Sequence, residues 1–127
     1  MLLVVSSSKP LDRLCADLET AVARHTFGVL SVHDLKQTLA KKGVEFTREC
    51  RIFEVCNPHQ AKRVLEADIR ISTALPCRIS VWEEGGQTRM ATIRPTALIG
   101  MFDEPGLKPV AEDVESIIHE IMKEAAL

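Results

Sequence analysis

Two cysteines placed at element ends are the residues of this chain best suited to chemistry. Cys56 lies in Glu54-Val55-Cys56-Asn57-Pro58, and Cys77 follows Leu75-Pro76. A run with strand character ends at Cys56 and passes directly into a helix, with Asn57 as its N-cap and Pro58 at its first position. A thiol one residue before an N-cap sits near unpaired N–H groups and the positive end of the helix, which predicts a pKa below the ordinary value of about 8.5. Such a thiolate would be a nucleophile, a redox group or a metal ligand. The competing expectation is that Cys56 plugs the end of the sheet, because free cysteine is among the most buried residue types.

Cys77 begins a strand, so it can meet Cys56 if the two strand ends are neighbours, forming a redox pair or holding one ion or small ligand. Packing is again the alternative, since Cys77, Ile79 and Val81 share a face by alternation. His59 adds a Cys56-x-x-His59 spacing, but a structural zinc site wants four ligands and no second paired motif follows, so His59 is read as solvated and no metal is assigned. Cysteine nucleophile chemistry needs a base within reach. His25 falls on a helix edge, His33 at a strand-to-helix junction and His119 on the exposed side of the last helix. No catalytic residue is therefore assigned. No Gly-rich phosphate loop, paired-carboxylate motif or nucleotide fingerprint appears, and no cofactor is implied. Glu54 shares a strand face with Cys56 and would help orient a ligand if that face is covered, while Trp82, on the opposite alternation from Cys77, suits either a subunit interface or the core.

The elements that must position these residues belong to a single domain, 1–127. A chain of 127 residues with 46% hydrophobic and 27% charged residues can bury a real core. A net charge of −2, one Trp and no Tyr argue against nucleic acid, which calls for a basic face and stacking aromatics. No stretch approaches the roughly 18 apolar residues of a membrane span, and Met1-Leu2-Leu3-Val4-Val5 lacks the basic leader and length of a signal peptide. The expected location is the cytoplasm, where Cys15, Cys50, Cys56 and Cys77 stay reduced.

Residues 2–6 form a short apolar strand, and Leu11, Leu14, Leu18 and Val22 recur at helical spacing after Pro10. Residues 27–32 are apolar on both faces, which predicts a central or sandwiched strand. His33-Asp34 opens a short helix ending near Gly43, and 44–49 is a connection with Val44 and Phe46 on the core edge. The third strand, 50–56, leads into the helix capped by Asn57, and 68–76 reads as a loop. Strands 77–83 and 88–93 flank Glu84-Gly85-Gly86-Gln87, a hairpin signal. Residues 95–108 read as a mobile or functional loop, and a last helix starts near Pro109. The order is β-α-β-α-β-α-β-β-α, an α/β chain of the α+β type.

With these residues laid out, the chain resembles a family of small bacterial and archaeal proteins known as domain of unknown function three-hundred-and-two. The resemblance is carried by Phe27-Gly28-Val29-Leu30 with Asp34, Val44-Glu45-Phe46, Cys56-Asn57-Pro58, and Leu75-Pro76-Cys77 leading into Val81. It implies a curved, mainly antiparallel sheet covered by helices, similar to the saddle of TATA-box-binding proteins, and a homodimer. Where the family often ends its last strand with Asp-Pro, this chain has Arg94-Pro95. The expected function is a dimeric, non-enzymatic domain binding a small molecule or partner near Cys56 and Cys77. The alternative is a thiol redox or sulfur-handling protein in which Cys56 reacts and Cys77 resolves.

Overall fold

The computed structural model describes residues 1–127. Five strands, β1 (Leu2–Ser7), β2 (Gly28–Asp34), β3 (Cys50–Cys56), β4 (Cys77–Glu84) and β5 (Gln87–Ile93), form one sheet in the order β1-β5-β4-β3-β2, with every neighbouring pair antiparallel. The main helices are α1 (Leu11–Arg24), α2 (Leu35–Lys41), α3 (Pro58–Ala67), the short α4 (Pro95–Ile99) and α5 (Lys108–Ala126). The mixed architecture and antiparallel sheet match the α/β expectation.

Alternation divides the sheet cleanly. Phe53, Val55, Ile79, Val81 and Met90 point inward and are almost wholly buried against α1 and α5, whose Leu14, Leu18, Val22, Ile118 and Ile121 complete the core. The other face stays open, with Leu2, Val4 and Ile93 exposed by 55%, 48% and 43%. Polar groups tie the layers together: Ser7 Oγ donates to the Ala126 carbonyl at 2.9 Å and Thr88 Oγ1 to the Lys9 carbonyl at 2.7 Å, so both buried hydroxyls are satisfied.

Four expectations change. The strand expected to be central is an edge strand: β2 pairs only with β3, and a register shift between Val29 and Ser31 turns Leu30 out to water. It also runs on through His33 to Asp34, whose carboxylate caps α2 by accepting from the Gln37 N–H. Val44 and Phe46 are exposed rather than packed on the core edge. The two segments read as loops carry helical turns, a 3-10 helix at Ile69–Ala74 that buries Ile71, and α4 with a 3-10 turn at Pro105–Leu107.

Candidate functional site at the ends of β3 and β4

The Cys56–Pro58 corner folds as its residues dictate. Asn57 Oδ1 accepts from the His59 and Gln60 N–H groups at 3.0 and 3.2 Å, and Pro58 occupies the first turn, where its missing N–H costs nothing. Cys77 stands opposite Val55 in the β3–β4 register, so it lies one residue away from Cys56 along the neighbouring strand. Cys56 and Cys77 line one cavity of about 40 Å³, walled by α3 (Gln60, Ala61, Val64), by Ile71, Ala74, Leu75 and Pro76, and by Pro95, Leu98 and Ile99 of α4. Phe27, Val55 and Val114 close its floor, and 12 of the 16 lining residues are hydrophobic, so the site is an apolar pocket with two thiols and two amide side chains, Asn57 and Gln60.

The electrostatics run opposite to the expectation for Cys56. Burial pushes its thiol up, not down. The physical reason is on the same corner: the helix N–H groups that would stabilise a thiolate are already taken by the Asn57 oxygen, which leaves desolvation as the acting force. Burial together with the neighbouring Cys56 pushes the Cys77 thiol up to about 11. Both groups are neutral at pH 7, and both are free thiols.

Of the other candidates, His59 is exposed and does not line the pocket, and no cluster of three or more His, Cys, Asp or Glu side chains is arranged to hold a metal ion. Glu54 sits on the open sheet face, 84% buried in its side chain, with its carboxylate 2.7 Å from His33 Nε2 and 3.9 Å from Arg78, the residue directly opposite it on β4. It belongs to a polar cluster on that face, separate from the pocket lining. Trp82 also lies on the open face and donates its Nε1–H to Glu84 at 3.0 Å. Cys50 faces Ser80 there at 3.7 Å, and Cys15 is buried beside Arg51.

The residues that sequence reasoning missed come from α4. Pro95, Leu98 and Ile99 sit on one short helix held down by Glu115, which accepts from the Thr96 hydroxyl at 2.7 Å, the Thr96 N–H at 3.2 Å and Arg94 Nη1 at 3.2 Å. Arg94-Pro95 was itself a legible signal, since proline in a first turn marks a helix start.

The match that decides the family covers residues 3–125 and is described as Domain of unknown function DUF302. The chain belongs to the DUF302 family. The crystal structure of an uncharacterized conserved DUF302 protein from Bacillus stearothermophilus is similar to it at 32% sequence identity and a TM-score of 0.92, covering 98% of this chain and 97% of that one. Among curated proteins none matches this chain. The DUF302 chain also has no helix long and apolar enough to cross a membrane.

Proposed function

We propose that this DUF302 protein is a non-enzymatic binding domain whose apolar pocket between Cys56 and Cys77 receives a very small ligand or one small group of a larger partner. The observation that carries this is the pocket itself, an apolar, strand-end cavity lined by both Cys56 and Cys77. Its size decides the ligand class: about 40 Å³ is far below the roughly 300–1,000 Å³ of drug-sized sites, and holds a few water-sized groups. Neutral thiols favour binding over thiol catalysis, for which a thiolate and a nearby base are needed. The redox alternative draws on the same neighbourhood of the two cysteines and requires Cys56 to ionise far more readily.

We also propose that the open sheet face pairs with a second copy. Leu2, Val4 and Ile93 give that face an exposed apolar patch along its β1–β5 edge, and the polar side chains His33, Glu54, Arg78 and Arg89 continue across the rest of the face. A cytoplasmic setting suits four free cysteines.

A fragment screen by amide chemical-shift mapping, on wild type and on Ala61→Trp, tests the pocket. Shifts clustered on Cys56, Ala61, Leu75 and Leu98 in wild type, lost when the tryptophan fills the cavity, are the expected result. Identical shift patterns in both proteins would overturn it.

A further inference from the structure

We propose that a second cleft, next to the Cys56/Cys77 pocket, binds a short-chain aliphatic carboxylate whose anionic end is held by Arg78. The cleft encloses about 250 Å³ where β4 begins and β5 ends, and its lining includes Thr73, Leu75, Arg78, Thr92, Ile93 and Leu98. Leu75 and Leu98 are common to both cavities, whereas Thr73, Arg78 and Ile93 line the cleft and not the pocket.

Arg78 is the only charged side chain in that lining, so the cleft is cationic. Its guanidinium is 65% exposed and lies 3.9 Å from Glu54, too far for a hydrogen bond. Arg51, Arg70 and Arg94, by contrast, donate to carboxylates at 2.8, 2.6 and 3.2 Å. Glu54 has His33 Nε2 at 2.7 Å, so Arg78 can turn to a ligand without leaving that carboxylate unpartnered. The Thr73 and Thr92 hydroxyls already donate to the Arg70 and Ile93 carbonyls, at 2.8 and 3.4 Å, which leaves the guanidinium as the donor a ligand would meet. Its fork of N–H groups matches the two oxygens of a carboxylate. One cation balances a monoanion, and Glu54 beside it disfavours a dianion such as phosphate. Leu75, Ile93 and Leu98 offer apolar wall to an alkyl chain, and the volume, below the roughly 300–1,000 Å³ of drug-sized sites, keeps that chain short.

The test is an amide chemical-shift titration of the full chain with sodium butyrate at pH 7, against n-butanol and n-butylammonium at matched ionic strength. Saturable shifts at Thr73, Arg78 and Ile93 are expected with butyrate alone. Acetate should bind more weakly, since each methylene buried is worth up to about fourfold. Arg78→Gln should weaken butyrate binding by about 10–100-fold, the usual worth of a hydrogen bond to a charged group, and Arg78→Lys should fall between the two. The amide spectrum of each variant reports directly that its fold is kept. Ala61→Trp, which fills the neighbouring pocket and leaves the cleft lining intact, should bind butyrate as wild type does, so the cleft and the Cys56/Cys77 pocket stand or fall separately. No saturable shift with butyrate, equal binding of butanol or of acetate, or wild-type affinity in a folded Arg78→Gln overturns the carboxylate site. Loss of the butyrate shifts in Ala61→Trp also overturns it, by placing the ligand in the pocket instead.

Discussion

Cys77 and Val55 face each other across the β3–β4 ladder, and Cys56, the next residue on β3, lines the same apolar cavity as Cys77. The same burial that shapes the pocket keeps its thiols protonated. The chemistry available there is capture rather than attack.

The Cys77 thiol gives a pH signature. Its folded pKa of about 11 lies above the ordinary value of 9.0, so the stability it contributes is complete below pH 9 and is lost as pH rises towards 11, where the unfolded chain ionises first. Two pKa units correspond to about 2–3 kcal/mol, an upper figure for one buried group. Urea midpoints between pH 8 and pH 11 should fall in wild type more steeply than in Cys77→Ala. Parallel slopes in the two proteins would show that Cys77 is not buried as described.

The cap at Asn57 holds the α3 wall. Asn57→Ala leaves two N–H groups without their acceptor and should cost about 1 kcal/mol, read as a lower denaturant midpoint, while Asn57→Asp should retain most of the stability. Because Asn57 occupies the donors that a Cys56 thiolate would use, Asn57→Ala should also speed alkylation of Cys56 by iodoacetamide at fixed pH. An unchanged alkylation rate would separate the cap from the thiol.

Glu115 governs the opposite wall. Burial pushes its carboxyl up, but the Thr96 hydroxyl and N–H and the Arg94 guanidinium outweigh burial and hold it below the ordinary 4.5. A depressed carboxylate contributes stability that is present above pH 4.5 and lost as pH falls through the folded value. Glu115→Gln should flatten the acid limb of the stability curve and loosen α4, seen as faster amide hydrogen exchange at Leu98 and Ile99. Arg94 thus has a structural partner in Glu115, 3.2 Å away.

The open sheet face yields an association test. Val4→Glu places a charge in the exposed apolar patch at the β1–β5 edge and should convert a dimer to a monomer in light scattering while leaving the thermal midpoint of the monomer within about 0.5 kcal/mol equivalent, as for other exposed sites. A wild-type monomer at high concentration would remove the dimer proposal.

Much of the frame was legible from the sequence for physical reasons. Leu14, Leu18 and Val22 on α1 and Ile118 and Ile121 on α5 repeat at helical spacing, and Asn57-Pro58 carries a capping signal that depends on neighbours only. What escaped depends on partners far away in the chain. The edge position of β2 is set by the absence of a second neighbour, although Val29, Leu30 and Val32 read as a buried run. Leu98 and Ile99 become pocket residues only because Glu115 anchors α4 from another helix. The direction of the Cys56 shift depended on whether Asn57 or the thiol would claim the helix N–H groups, and a sequence places both beside them.

The most direct measurement is a crystal of this protein pressurised with xenon, a probe that enters small dry cavities. A bound atom is expected beside Cys56, Cys77, Leu75 and Leu98, with its occupancy abolished in Ala61→Trp. Xenon bound only elsewhere, or a pocket filled by ordered water in place of the gas, would contradict an apolar binding site between the two cysteines.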